Sequence, residues 1–314
     1  MTALFILGLV VAPVPAEEQN MEGPVDIDTL WDYNDPAGTE QKFRELRPAV
    51  EAAGDVHRLL ELDTQIARTY SLQRRFDEAN ALLDTIEPAL ETAPPVVRIR
   101  YLLERGRTLN SSGSPESAKP LFVEAWELGR PLPEVAGLAV DAAHMVAITE
   151  KGDEALRWNE TALAHAQASD GPKAQKWKGS LLNNLGWTYH DSGNFDRAYE
   201  LFVEAAAYRR AQEAVEPIEI ADWCVARCLR SLGRVDEALE QQRTLLARKE
   251  ERGAESDGYV FEELGECLLL LGRPDEARPW FAKAHQALSQ DPWLVANEAA
   301  RLDRLSELAA GDGE

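Results

Sequence analysis

The chain has 314 residues, a hydrophobic content of 45% and a formal net charge of -22 at pH 7. This acidic balance argues against nucleic-acid binding, because that function requires a basic surface to neutralise phosphates. It also argues against adsorption to an anionic membrane. Acidic residues that solvate outer helical faces explain the charge, and adaptation to a high-salt habitat is the alternative that composition leaves open.

Residues 1–16 form an almost wholly apolar leader that is too short to span a bilayer. It resembles a signal peptide that ends at Ala16, although its amino-terminal end carries no Lys or Arg. If the leader is genuine, the protein is exported to the periplasm or the extracellular space. If translation begins at Met21 instead, a cytoplasmic location is expected.

Residues 17–35 are acidic and are expected to be irregular, with Trp31 and Tyr33 docked on the first helices of the fold. A helix is predicted over residues 36–54, because apolar side chains recur there at helical spacing. Those side chains are Phe43, Leu46 and Val50. This helix lacks the repeat pattern that follows it, which indicates an N-terminal cap for a repeat array.

Six helix-turn-helix cassettes occupy residues 55–290 and recur every 37 to 43 residues. Each first helix carries a small residue, which we call the small site, and an alanine follows twelve residues later in the second helix. The small sites are Ala67, Gly106, Ala143, Gly186, Ala226 and Gly265, and the alanines are Ala79, Ala118, Ala155, Ala198, Ala238 and Ala277. Small residues at both positions let antiparallel helices approach closely. The regular period predicts a stacked array.

Further positions recur inside the cassettes. The second, fourth and sixth have a glycine small site and a later phenylalanine, and a turn glycine separates their two helices. Cassettes one, three and five have an alanine small site, with Leu83, Asn159 and Gln242 in place of the phenylalanine. Arg74 replaces the turn glycine in the first cassette, and Gly152 stands two places late in the third.

With these positions the chain resembles a tetratricopeptide repeat (TPR) protein over roughly residues 60–290. The resemblance implies an all-α fold, a right-handed α-solenoid of six stacked antiparallel helix pairs. The period averages near 40 residues instead of the usual ~34, which implies longer helices or loops. Residues 291–314 are predicted to form a C-terminal capping helix over 293–309 and a short tail.

The sequence contains no catalytic motif, and no cofactor or metal site is predicted. The three cysteines are expected to be buried hydrophobes, since an odd number gives no disulfide framework. Two histidines on neighbouring cassettes, His144 and His190 with Asp191, are the alternative as metal ligands.

A candidate binding surface follows from helix geometry. On each first helix, the residues three before, one after and four after the small site share one face, beside the core stripe. In TPR proteins the corresponding face lines the concave groove where ligands dock. The candidate peptide-binding residues are Arg68, Arg107, Asn110, His144, Asn183, Trp187, His190, Trp223, Arg227 and Arg230.

We therefore expect a non-catalytic scaffold or adaptor that binds peptide segments or chain termini of another protein. Arginines would hold carboxylates and tryptophans would cover apolar side chains. Nucleic acid and membrane spanning are not expected, and the oligomeric state stays open. In the structural alternative, the arginines form ion pairs and the tryptophans fill gaps between helices. In the functional alternative, the array senses a small molecule or signal peptide by changing its curvature.

Overall fold

The computed structural model describes residues 25–254 and 257–311, and the predicted leader lies outside these residues. Within the described residues the secondary structure is entirely helical. This confirms the all-α prediction. The handedness of the solenoid stays a prediction.

The α-helices occur in the order that the cassettes predict, with a 3₁₀ turn over Ile27–Leu30 before them. They are α1 Pro36–Ala52, α2 Val56–Leu72, α3 Phe76–Ile86, α4 Pro95–Ser111, α5 Pro115–Gly129, α6 Ala136–Thr149, α7 Gly152–Ala168, α8 Pro172–Gln175, α9 Lys178–Asp191, α10 Phe195–Arg210, α11 Val215–Ser231, α12 Val235–Glu251, α13 Gly258–Leu270, α14 Pro274–Leu288, α15 Pro292–Asn297 and α16 Ala299–Ala310.

The chain divides into two compact units, Met1–Lys178 and Gly179–Glu314. In unit 1, α1 packs on α2, α2 on α3 and α4, and each of α4, α5 and α6 on the helix that follows it. In unit 2, α10 to α13 each pack on the next helix, and α14 packs on α16. Helices packed in series in this way are those of a TPR-like solenoid.

The small sites hold the two helices of a cassette together in a way that depends on the size of the facing side chain. A Cβ atom added at Gly186 would lie 2.5 Å from Cε1 of Phe202, and one added at Gly106 would lie 2.5 Å from Cε1 of Phe122. The phenylalanine rings therefore occupy the space that a side chain would need. Gly265 and Phe281 repeat the arrangement, at 2.7 Å.

The same geometry explains why the other cassettes differ. Where the small site is alanine, the facing position holds Leu83, Asn159 or Gln242 instead of phenylalanine. Leu83 and Gln242 are completely buried. The side-chain amide of Gln242 makes no hydrogen bond within the described residues. A partner that is smaller or more flexible than phenylalanine leaves room for the methyl group of an alanine at the small site.

The turn between the helices requires a left-handed backbone conformation. Gly193 has a φ of 80° and Gly272 a φ of 71° at this position, as expected for helix C-terminal glycines. Arg74 adopts the same conformation, with a φ of 61°, although it carries a side chain. The first cassette thus keeps the turn geometry without the residue type that favours it.

Two features at the ends of cassettes were not predicted. The C-terminal segment forms two helices, α15 and α16, and not the single helix expected over 293–309. The break at Glu298 follows from packing, because it lets Leu294 and Leu305 both become buried. The short helix α8 is a further addition, and it packs on α6 and α7.

The cysteines are buried and unpaired, as the sequence predicts. Burial raises the pKa of the Cys224 and Cys267 thiols to about 12 and that of Cys228 to about 11. The thiols are therefore protonated at neutral pH and act as packing groups. In the described part of the chain, every helix is too short or too polar to cross a bilayer.

Candidate functional site: the first-helix faces of the two units

The ten candidate residues lie on the first helices of the cassettes, α2, α4 and α6 in unit 1 and α9 and α11 in unit 2. We call the surface formed by the positions three before, one after and four after each small site the first-helix face. The structure brings the candidates together within each unit. Most of them already make ion pairs, hydrogen bonds or ring contacts with neighbouring side chains.

The arginines of unit 1 belong to a chain of ion pairs. Arg68 Nη1 donates to Glu104 Oε1 at 3.2 Å, and Arg107 Nη1 donates to the same oxygen at 2.7 Å. Arg107 also pairs with Asp141 on α6. The Glu104 side chain is only 3% exposed, so it binds two arginines away from bulk water. These contacts join α2, α4 and α6 through their first-helix faces.

Arg68 is covered by the N-terminal segment as well. Its guanidinium lies over the rings of Trp31 and Tyr33, at 5.5 and 5.3 Å from their centroids. Burial alone would lower the pKa of Arg68, but the negative charge of Glu104 raises it above its usual value. The prediction that Trp31 and Tyr33 dock on the first helices is confirmed.

The remaining candidates of unit 1 are His144 and Asn110. His144 Nδ1 lies 3.0 Å from Asn159 Oδ1, which makes Nδ1 the protonated nitrogen. Its ring packs against Trp177 at 5.5 Å, and burial lowers its pKa. His144 is therefore a neutral packing residue at pH 7. Asn110 is half-buried, and its side chain hydrogen-bonds to none of the described residues.

Unit 2 presents a row of three aromatic side chains, of which Trp187 and Trp223 lie on its first-helix face and Tyr259 lies beside it. The rings of Trp187 and Trp223 are 6.0 Å apart, and Trp223 packs edge-on against Tyr259 at 6.1 Å. Trp187 also packs against Phe202, the ring that faces the Gly186 small site. The three rings of the row are half-buried, so the core supports them while part of each remains accessible. The row places two candidate residues of neighbouring cassettes, Trp187 and Trp223, in contact with each other.

The two arginines beside this row share one carboxylate, that of Glu263. Arg230 donates to both oxygens of Glu263, with Nε to Oε2 at 2.7 Å and Nη2 to Oε1 at 2.8 Å. Arg227 Nε lies 3.0 Å from Glu263 Oε1. Glu263 is 4% exposed. Burial lowers the pKa of Arg227, and the positive charge of Arg230 acts in the same direction.

His190 and Asn183 complete the candidate set of unit 2. His190 Nε2 lies 2.9 Å from Ser231 Oγ, and Arg227 Nη1 donates to the same hydroxyl at 2.7 Å. Burial, and then the charge of Arg227, lower the pKa of His190, which keeps the imidazole neutral. Asn183 Oδ1 accepts a weak hydrogen bond from Cys224 Sγ at 3.4 Å.

The His190 contacts have the order of a hydrolase triad but not its geometry. Asp191 Oδ1 lies 3.8 Å from His190 Nδ1, beyond hydrogen-bonding distance, and its side chain is half-exposed. His190 Nδ1 makes no hydrogen bond within the described residues, so the arrangement lacks the acid that orients the histidine of a triad. The described residues also contain no group of three or more side chains that could hold a metal ion.

Sequence reasoning missed the acids that bind these arginines. Glu104, Asp141 and Glu263 each stand two residues before a small site. Arg68, Arg107 and Arg227 each stand one residue after the small site of the preceding cassette, 34 to 36 residues earlier. The sequence signal for such a pair is an arginine one residue after a small site, followed in the next cassette by an acid two residues before its small site.

The two units differ in how accessible their first-helix faces are. Three residues before the small site, unit 1 has Thr64, Leu103 and Val140, all of which are 0–1% exposed. At the same position unit 2 has Asn183, Trp223 and Glu262, which are half-buried. Of the two, unit 2 therefore has the more accessible candidate surface.

Paired helices with a recurrent small site and a shared first-helix face define a helical repeat protein of the α-solenoid class. Two tetratricopeptide repeat families match residues 179–211 and 218–290. Residues 179–211 and 218–290 of this chain are therefore tetratricopeptide repeats.

Solved structures support the same fold. The apo form of RapI has a TM-score of 0.70 at 12% identity, over 91% of this chain and 82% of that one. The signal transduction ATPase with a tetratricopeptide repeat sensor from Pyrococcus horikoshii has a TM-score of 0.66 at 16% identity, over 87% of this chain and 42% of that one. BtubC (BKLC) from P. vanneervenii has a TM-score of 0.54 at 16% identity, over 74% and 95%. No curated protein sequence matches the chain.

Proposed function

We propose that this protein is a non-catalytic interaction scaffold that binds peptide segments of another protein on the first-helix face of unit 2. One observation carries the proposal. Trp187 and Trp223 lie 6.0 Å apart and half-buried on this face, whereas the corresponding face of unit 1 is largely buried. Rigid aromatic side chains that the core supports from below are the usual anchors of protein recognition.

The charges beside this row favour apolar ligand side chains over carboxylates. Arg227 and Arg230 already hold Glu263, and a ligand carboxylate would have to displace it or share its donors. Glu262 and Glu266 on the same face pair with Arg301 and Arg304. A segment with apolar residues flanked by small polar ones therefore fits better than a free chain terminus.

A surface cavity of about 160 Å³ on unit 1 is lined by Leu90, Glu91, Arg98, Leu102 and Glu124. It is smaller than the pockets of about 300 Å³ or more that hold small ligands. This cavity is therefore not a candidate site for a small-molecule sensor.

The test uses a displayed library of short peptides selected on the unchanged protein. Trp223→Ala should weaken the selected peptides at least ~10-fold, because a central aromatic anchor contributes about 2 kcal/mol or more to binding. Trp293→Ala is the matched control, since this indole is 46% exposed and lies on α15, outside the face. Thermal melting checks that both variants fold. Selected peptides that bind Trp223→Ala as well as the control would refute the proposal.

A further inference from the structure

The N-terminal segment, residues 25–33, lies across the first-helix side of unit 1 and binds it with charged and aromatic side chains. Asp28 Oδ1 accepts a hydrogen bond from Arg100 Nη2 at 2.8 Å, and Asp28 Oδ2 accepts one from Lys173 Nζ at 2.5 Å. Asp26 lies 3.2 Å from the same lysine. The segment thus contacts α4 and α8 through two carboxylates placed two residues apart.

The other end of the segment contacts α2. Trp31 Nε1 donates to Gln65 Oε1 at 3.0 Å, and the Trp31 ring stacks on Tyr33 at 4.9 Å. The guanidinium of Arg68 lies over both rings. Arg68 belongs to the first-helix face and Gln65 lies three residues before it on the same helix, so the segment covers part of this face.

The contacts are of a kind that another chain can replace. The side chains of Asp26 and Asp28 are 47% and 31% exposed, and Tyr33 is 43% exposed. The pair of Asp26 with Lys173 is exposed on both sides and contributes little net stability. Ile27 and Trp31 are the exceptions, because Ile27 is 3% exposed and belongs to the core cluster that contains Phe43, and the Trp31 ring packs edge-on against Phe43 at 5.3 Å. Apolar contacts therefore anchor a segment whose two acidic side chains and Tyr33 remain partly accessible.

We propose that residues 25–33 are an internal pseudo-ligand that covers a second peptide-binding surface, on unit 1, distinct from the aromatic row of unit 2. The partner for this surface is a protein segment with the same chemistry, two carboxylates followed by a tryptophan and a second aromatic residue. The complementary groups on the surface are Arg100 and Lys173 for the acids, and Gln65 and Arg68 for the aromatic side chains. Binding of the partner requires displacement of the chain's own segment.

The test measures binding of a fluorescently labelled peptide with the sequence of residues 25–35, VDIDTLWDYND. The full-length variant Asp28→Asn with Trp31→Ala should bind this peptide at least tenfold more tightly than the unchanged protein, because its own segment competes less. A peptide with the same two substitutions should not bind. Adding Lys173→Glu to the loosened variant should weaken peptide binding several-fold. Lys173 is 56% exposed, so this change spares the core.

The experiment also includes a control variant and a second loosened variant. Asp303→Asn removes an exposed carboxylate elsewhere and should bind the peptide as weakly as the unchanged protein. Because Trp31 touches Phe43, the second variant, Asp28→Asn with Tyr33→Ala, leaves the core intact if the first one fails to fold. It should also gain affinity, by at least threefold.

Three outcomes would overturn the inference. The loosened variants could fold and still bind the peptide no better than the unchanged protein. They could bind the substituted peptide equally well. They could form a concentration-dependent dimer through exchanged N-terminal segments, which would assign the surface to a second copy of the chain. The Trp223→Ala experiment on unit 2 is independent of all three.

Discussion

At the scale of single residues, the fit between a small site and the side chain that faces it determines how each cassette packs. Gly186 and Phe202 illustrate one solution, and Ala226 with Gln242 illustrates the other. In the sequence, the two positions of a pair appear only as separate features of the repeat. The short distance between Gly186 and the Phe202 ring reveals that they face each other.

Gly186→Ala should destabilise the protein by about 1–3 kcal/mol, because the new methyl group would overlap the Phe202 ring. Phe202→Leu alone should also destabilise, since it leaves a cavity. The two changes together should cost at least ~1 kcal/mol less than the sum of the single changes. Chemical denaturation of the four proteins measures this coupling. Strictly additive effects would show that the ring does not limit the size of the small site.

At the scale of helices, ion pairs connect the first helix of one cassette with that of the next. Glu104 is the central residue of unit 1, because it accepts hydrogen bonds from Arg68 on α2 and Arg107 on its own helix. Arg107 continues the connection to Asp141 on α6. Nearly buried carboxylates with two cationic partners are costly to remove, since both partners lose their compensation.

Glu104→Gln should therefore lower the free energy of unfolding by about 3 kcal/mol. The measurement is thermal or urea-induced unfolding followed by circular dichroism. Glu124→Gln is the control in the same unit, because its side chain is exposed on α5, and its effect should stay within about 0.5 kcal/mol. Equal effects of the two substitutions would show that Glu104 contributes no more than a surface charge.

The helix positions were predictable from the sequence. The ion pairs that the candidate arginines make with neighbouring acids were not. The small sites and turn glycines give the cassettes, and Trp31 and Tyr33 were correctly expected to dock. The pairing of Arg230 with Glu263 depends on the register between neighbouring cassettes, which periodicity alone leaves undetermined. The break at Glu298 was missed because residues 293–309 form one continuous amphipathic pattern, and only the burial of Leu294 shows the bend.

At the scale of the whole molecule, two electrostatic effects oppose each other. The net charge of -22 produces repulsion among like charges. Ion pairs such as Arg230 with Glu263 stabilise the helices locally, and their burial shields them from dissolved ions. The repulsion acts mainly between exposed carboxylates, so salt should screen it more strongly than it weakens the buried pairs.

The melting temperature should therefore rise when the NaCl concentration increases from about 0.05 M to about 0.5 M, where the Debye length becomes much shorter. Differential scanning fluorimetry measures the change, with sucrose as an uncharged control that tests for general solute effects. A melting temperature that falls with salt would show that attractive pairs outweigh the repulsion. The same measurement bears on whether the composition suits a high-salt habitat.

The contact between a glycine small site and its facing phenylalanine also determines which segments can be exchanged between cassettes. Gly106 with Phe122 and Gly186 with Phe202 are each complete within one hairpin, so a chimera that exchanges entire hairpins carries both halves of the fit. A chimera that exchanges only one helix between an odd-numbered and an even-numbered cassette would join alanine to phenylalanine or glycine to a smaller partner. Recombination within this gene is thus expected to succeed at the loops between cassettes and to fail at the turns inside them.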